Sequence, residues 1–333
     1  MKTLSQIGES RLIHDISKIL KPRDPSVVRG IGDDAAVLKF GNKILLLTTD
    51  ALLESVHFDW RYTDPYRLGR KSLAVNLSDI AAMGGRPRWA VLSIALPPRA
   101  SLKSVREFHR GVKAIADEFG VSIVGGDTDR SLDGWKITVT LVGEVERPIY
   151  RRGAKPGDQI WVTGFLGCSA LGRELLRRGG RRQEVGGRRG RKFIVAHLDP
   201  FPRVREGQML AKEKFATSLI DVSDGLLLDL EHLCQASKLG ARISWDQVPL
   251  ASGYLPLCEE MRKDPRALAL SGGEDYELLF TALPKDEETI RQQFRRLGTK
   301  VSCLGEIVRG EGVRILDEKH RPLKIKRKGF EHF

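Results

Sequence analysis

Seven aspartates, Asp33, Asp34, Asp50, Asp79, Asp127, Asp221 and Asp224, lie near Gly, Ser or Thr at the expected ends of elements. One such residue is ordinarily a cap or a turn former. Seven in a chain of net charge +13 call for another account. Carboxylates gather where cations neutralise them, and clustered hard oxygen ligands suit Mg²⁺. The matching chemistry is phosphoryl transfer onto an acceptor that is itself phosphorylated. Each uncompensated pair of like charges at roughly 4 Å costs about 4 kcal/mol at an effective dielectric of about 20. Bridging Mg²⁺ ions remove that repulsion, so acidic clusters can hold a polyphosphate.

Two familiar phosphate-binding patterns fail. Gly30-Ile31-Gly32-Asp33-Asp34-Ala35 has dinucleotide-binding spacing, but that motif must open a helix, and a strand pattern with a hairpin follows here. No GxxxxGK[ST] occurs, so a nucleotide site needs another architecture.

The elements that must place the aspartates alternate between α and β. Residues 4–20 carry apolar positions near helical spacing, stopped by Pro22 and Pro25. Residues 35–40 and 44–49 read as strands joined by a Gly41-Asn42 turn. Residues 64–83 read as a helix capped by Asp64-Pro65 and stopped by Gly84-Gly85, with Asn76 and Asp79 on one face. A strand (89–96), a helix (101–119), a strand (121–124) running into Gly125-Gly126-Asp127, and a strand (135–144) complete a first domain, residues 1–150. The turn-rich stretch 151–158 opens a second, residues 151–333. It alternates strand 159–163, helix 167–178, strand 218–221, helix 225–239, strand 276–281, helix 287–297 and strand 301–307. The class expected is α/β in two domains.

Composition narrows the rest. At 41% hydrophobic residues the chain can bury sizeable cores, and no apolar run reaches a membrane span of ~18 residues. No signal-peptide pattern opens the chain, so the expected address is cytoplasmic. Cys168, Cys234, Cys258 and Cys303 show no CxxC spacing, which argues against zinc or a disulfide framework. Residues 177–192 hold eight basic side chains and one acid, Glu184. This Gly-rich stretch reads as an exposed loop. A nucleic-acid-binding protein would explain the charge, but not carboxylates that repel a phosphate backbone.

Six motifs together are specific: Gly30–Val37 (GIGDDAAV), Thr48-Thr49-Asp50 with Glu54–Phe58 (ESVHF), Asn76–Gly85 (NLSDIAAMGG), Gly125–Thr128 (GGDT), Asp221–Leu226 (DVSDGL) and Ser271–Leu278 (SGGEDYEL). In this order, and with the terminal Gly329-Phe330-Glu331-His332-Phe333, the chain resembles the thiamine-monophosphate kinases. Their superfamily includes aminoimidazole ribonucleotide synthetase, selenophosphate synthetase and the hydrogenase-maturation dehydratase. The first of these is the nearest alternative, disfavoured by the GGEDYEL and GFEHF contexts. The absence of an early or terminal Cys disfavours the other two.

The resemblance implies an aminoimidazole ribonucleotide synthetase-type fold, with N-terminal domains forming a β-barrel in a homodimer and a cleft between the two domains of each chain. It implies ATP and thiamine monophosphate as substrates, thiamine diphosphate and ADP as products, several Mg²⁺ ions and a stimulatory monovalent cation such as K⁺. Position by position, Asp33, Asp50, Asp79, Asp127 and Asp221 look like Mg²⁺ ligands, Thr49 like a further oxygen ligand, and Asp224 like a ligand of an additional ion. Gly126, Asp127, Arg151 and Ser223 look like ATP contacts, and His57, Glu274 and Phe330 like the surroundings of the thiamine. No general base is expected, because a phosphate acceptor is already ionised. His109 stands where the family has an aromatic, usually Tyr, near the nucleotide.

Overall fold

The computed structural model describes residues 3–179, 187–325 and 329–330. The first half runs α1 (Leu4–Ile7), α2 (Glu9–Ile19), β1 (Val27–Arg29), β2 (Ala36–Phe40), β3 (Lys43–Leu53), α3 (Pro65–Ala82), β4 (Arg86–Leu96), α4 (Leu102–Phe119), β5 (Ser122–Arg130) and β6 (Lys136–Val145). The second runs β7 (Gln159–Thr163), α5 (Cys168–Gly179), α6 (Gly187–Leu198), α7 (Val204–Glu213), β8 (Ala216–Asp221), α8 (Leu226–Ser237), β9 (Gly240–Ser244), α9 (Tyr254–Glu260), α10 (Pro265–Ser271), β10 (Leu278–Ala282), α11 (Glu287–Leu297), β11 (Val301–Val308) and β12 (Gly312–Leu316).

Each half builds one six-stranded sheet, ordered β1-β2-β3-β6-β4-β5 and β12-β9-β11-β7-β10-β8. Pairing is antiparallel except for β4 with β5 and β9 with β12. Neither sheet closes on itself among the described residues. The two-domain α/β expectation therefore holds, while one chain supplies only an open first sheet.

That first sheet has two unlike faces. Along β3, Leu46, Thr48 and Leu52 are buried while Leu47, Thr49 and Ala51 are exposed, the period-two pattern of a sheet covered on one side. The cover is α3, whose residues are buried nearly all round, as befits a helix packed on several sides. Asp64 caps it by accepting from the Arg67 amide. Two glycines let α4 cross at backbone contact. A Cβ on Gly69 would stand 2.0 Å from the Phe108 carbonyl oxygen, and one on Gly111 would stand 1.9 Å from that of Tyr66.

The other side of α3 meets the second half. One core cluster joins Leu46, Leu73, Ile80 and Val139 of the first half to Trp161, Leu219, Leu278 and Phe280 of the second. The alternate residues Ile160, Val162, Ile220 and Leu279 enter a separate core on the far face of the second sheet. Strands buried on both faces give the continuous apolar runs of β7 and β10.

Three local expectations are corrected. The N-terminal helix breaks at Gly8, whose φ of 72° interrupts the pattern between α1 and α2. Gly125-Gly126-Asp127 continue β5 to Arg130 instead of ending it, because Gly126 lies against β4, where a Cβ would be 1.9 Å from the Leu92 carbonyl oxygen. The basic stretch is helical from Gly187. Arg188, Arg189, Arg191 and Lys192 are exposed, while Gly190, Phe193, Ile194 and His197 form a buried stripe, so charge obscured a helical period. Residues 180–186 of that stretch, and Glu331, His332 and Phe333 of the terminal motif, lie outside the described residues. Among the described residues no helix is long and apolar enough to cross a membrane.

Candidate active site

The buried face of β3 meets α3 at the start of the acidic cluster. Thr48 donates its hydroxyl to Asp79 Oδ2 at 2.5 Å. Asp50, two residues on and so on the same face, hydrogen-bonds the Asp79 carboxyl. From the second half, Asp221 at the end of β8 accepts from the Ser78 hydroxyl at 2.5 Å. Asp34 completes the group: one carboxylate oxygen from each of Asp34, Asp79 and Asp221 lies within 4.8 Å of the others.

So many acids in one buried place cannot all be charged. Burial, then Asp50, Asp221 and Asp34, push the Asp79 carboxyl well above the usual range. Burial and Asp34 raise Asp221 to about 7, opposed by the Ser78 hydrogen bond and by Arg151. Burial also raises Asp50, opposed by its bond to Asp79.

These residues fit a divalent cation by an observation of their own. Asp34 Oδ2 is buried without a hydrogen-bond partner, and a buried acceptor left unsatisfied is costly. A hard cation satisfies such an oxygen and removes the repulsion at once. The other oxygen, Oδ1, is held by Arg151, whose Nη2 and Nε donate at 2.6 and 3.2 Å.

The expected residues do not all converge. Asp33 sits beside the cluster, but its carboxylate accepts from Arg29 Nε at 3.0 Å and from the Arg151 amide at 2.8 Å. Burial raises its pKa against those bonds. Thr49 points to the exposed face of β3 and donates to the Val139 carbonyl oxygen at 3.1 Å. Asp127 is exposed on β5, paired with Ser93 of β4 and accepting from the Thr128 amide. Since β5 is three strands from β3, Asp127 stands roughly 14 Å away across the sheet. Gly126 lies beside it.

A second assembly is made of loops. The Ser223 carbonyl accepts from the Glu274 amide at 2.7 Å, and that of Asp224 from the Phe330 amide at 2.9 Å. Glycines permit this docking: a Cβ on Gly273 would be 2.4 Å from the Ser223 carbonyl oxygen. Asp229, one turn into α8, accepts from the amides of Asp224 and Gly225 and so fixes the loop. Three sequence motifs, DVSDGL, SGGEDYEL and the Gly329-Phe330 pair, thus meet backbone to backbone.

Glu274 adopts φ 65°, and its carboxylate is gripped by Lys71 Nζ at 2.6 Å and His197 Nδ1 at 3.2 Å. Burial opposes its charge, but Lys71 and His197 outweigh it and hold the carboxyl well below the usual range. His57 folds back to accept the Leu53 amide on Nδ1 at 3.0 Å. His109 is exposed on α4 and reaches the Val105 carbonyl at 2.8 Å.

A cavity of about 630 Å³ adjoins this region, walled by Glu54, Trp60, Tyr62, Arg99 and Trp135 and containing none of the aspartates of the cluster. Tyr62 connects the two, with its ring 6.3 Å from that of His197.

The sequence reading passed over Asp34 as a ligand, Asp229, Lys71 and His197. Strand alternation already pairs Thr48, not Thr49, with Asp50. Nothing local marks the others.

Comparison with known proteins agrees with this architecture. Residues 32–145 match the model of the AIR synthase related protein N-terminal domain, and residues 155–318 that of the C-terminal domain. Thiamine-monophosphate kinase of Aquifex aeolicus is 37% identical over 99% of both chains, and that of Escherichia coli K12 is 36% identical over 98% of both. A solved structure described as AaThiL complexed with AMPPCP and TMP superposes with a TM-score of 0.87 at 36% identity, covering 100% of this chain and 99% of that one. Escherichia coli HypE, 18% identical with a TM-score of 0.70 over 96% of this chain and 98% of its own, shares the fold alone. Kinship along the whole length at this identity, on both matched domains, places the chain in the thiamine-monophosphate kinase family.

Proposed function

We propose that the protein transfers the γ-phosphoryl group of ATP directly to the phosphate of thiamine monophosphate, in line, giving thiamine diphosphate and ADP. The observation that carries this reading is the buried carboxylate cluster of Asp34, Asp79 and Asp221, in which one Asp34 oxygen has no partner, in a chain of this family. Asp34, Asp50, Asp79 and Asp221 would hold Mg²⁺, with Asp33 beside them and Asp224 on the neighbouring loop. When bound there, Mg²⁺ neutralises phosphate oxygens of donor and acceptor, allowing them to approach.

The chain's own residues supply placement. Arg151 presents a guanidinium that pairs with phosphate oxygens as readily as with Asp34. Gly126 offers backbone free of a side chain, and Ser223 lies on the loop fixed by Asp229. Glu274, held ionised, suits a cationic thiazolium, with His57 and Phe330 forming further walls. A phosphate acceptor needs no general base, so orientation and charge neutralisation carry the rate. K⁺ is proposed as a stimulatory ion.

The working unit is proposed to be a homodimer that closes the barrel. Two features support it. Leu47, Trp89, Val91, Ile123 and Val124 are exposed on the first sheet, an apolar group of the kind that marks association sites. Thr49 and Asp127, which the family resemblance assigns to metal, lie on exposed strand surface away from the buried cluster. A second copy would bring such residues to the cluster of its twin.

The decisive measurement is ADP release with thiamine monophosphate, thiamine, formylglycinamidine ribonucleotide and selenide offered in turn. Turnover confined to thiamine monophosphate, with thiamine diphosphate as product, is expected. Turnover with formylglycinamidine ribonucleotide instead would overturn the assignment.

A further inference from the structure

Lys71 is the anomaly in α3. It lies mid-helix with only 4% of its side chain exposed, although lysine is rarely buried without a partner. Its Nζ reaches out of the first half to Glu274 Oε1 at 2.6 Å. The other carboxylate oxygen faces His197 of α6, whose Nδ1 lies 3.2 Å from Glu274 Oε2 and 3.0 Å from the Ser169 hydroxyl. His197 is itself 3% exposed. With its proton on Nδ1 the imidazole donates to the carboxylate, and the Ser169 hydroxyl of α5 sits beside the same nitrogen, where it can share that proton as a second acceptor.

The backbone under Glu274 needs such support. Its φ of 65° is the left-handed region, uncommon for a residue with a side chain. Gly273 before it is pressed against the Ser223 carbonyl. A carboxylate on so constrained a peptide has few directions to point. Two donors from two different helices select one of them.

We propose that Lys71 and His197 are positioning residues for substrate selection: acting through Glu274, they hold its carboxylate in the one orientation that receives the cationic ring of the phosphate acceptor. The helix makes this a shared alignment. Lys71 and Asp79 are eight residues apart on one stripe of α3, about 12 Å along its axis. One rigid rod thus sets the carboxylate for the organic end of the acceptor and a carboxylate of the cluster for its phosphate end. Ser78, next to Asp79 in the chain, ties the rod to Asp221.

The proposal rests on the reading of Glu274 as a thiamine contact, and the test separates the two. Steady-state kinetics with both substrates varied are measured for K71M, H197Q, E274Q and the double variant K71M/E274Q, each with its thermal midpoint. K71Q replaces K71M should the latter not fold. The expected result is a KM for thiamine monophosphate raised about tenfold or more, the scale of a lost charge-assisted hydrogen bond, with KM for ATP unchanged. In the double variant the effect is no larger than in E274Q, because Lys71 acts through Glu274. Additive effects, or equal losses for both substrates, overturn the proposal and leave Lys71 a packing residue. An unchanged KM for thiamine monophosphate in E274Q takes away the reading of Glu274 itself, and the proposal with it.

Discussion

Asp33 and Asp34 are chemically identical neighbours with different surroundings. Asp33 spends its oxygens on Arg29 and on the Arg151 amide, whereas Asp34 keeps one buried oxygen without a partner. Asp34→Asn should therefore raise the Mg²⁺ concentration needed for half-maximal rate by about tenfold or more, and Asp33→Asn by less. Mg²⁺ titrations of activity check the order, and the reverse order would shift the ligand role to Asp33. Asp79, where all the repulsion meets, should be the most sensitive. Asp79→Asn is expected to lower kcat by ~10²-fold or more while the circular dichroism spectrum stays as it was. At this scale the sequence was partly legible. The six motifs hold Asp34, Asp50, Asp79, Asp221 and Glu274 but not Lys71, Arg151, His197 or Asp229, and the resemblance pointed to Thr49 where alternation along β3 puts Thr48 on the face of Asp50. The sequence could not say which of two adjacent aspartates would keep an oxygen without a partner, because both are met by Arg151, which reaches Asp34 across 117 positions of chain.

Among the elements, α3 bears most of the construction. It is buried against the first sheet, α4, α7 and the second half, and backbones touch where glycines allow it. Gly69→Ala places a methyl carbon 2.0 Å from the Phe108 carbonyl oxygen, which α4 relieves only by moving. A loss of about 1–3 kcal/mol in unfolding free energy is expected, read from the denaturant midpoint; an unchanged midpoint would mean that the crossing yields freely. Helix caps, the Gly41-Asn42 hairpin and the alternation of β with α were readable from propensity and period. The extension of β5 through two glycines was not, since glycine argues against strand until Leu92 is seen behind it. Nor was the start of α6, where arginines hid the buried stripe.

For the molecule as a whole, charge in the cluster links stability to pH and metal. Asp50, Asp79 and Asp221 have pKa values raised on folding. Their contribution to stability is fully present below the unfolded value of about 3.9 and fades as pH rises through the folded values, near about 7 for Asp221. Mg²⁺ at these carboxylates would favour the ionised form. The rise in thermal midpoint on adding Mg²⁺ should thus be larger near about pH 8 than near about pH 5.5, and Asp221→Asn should shrink the difference. Equal rises at both values would count against metal binding at these carboxylates. Assembly is tested by mixing. Asp79→Asn and Asp127→Asn chains, each inactive alone, should regain activity together after subunit exchange if each copy lends Asp127 to its twin. Continued silence in a mixture shown to contain heterodimers would confine the site to one chain.

The core shared by both sheets has a further consequence. Trp161, Leu219, Leu278 and Phe280 pack with Leu46, Leu73 and Ile80 in one cluster, and exposing even a few of these side chains costs on the order of 2 kcal/mol each. Such a body does not gape like a pair of jaws. Any movement that admits a ligand is therefore expected at the rim, in the short segments around Ser223 and Gly273, whose hydrogen bonds include the two that Asp229 accepts.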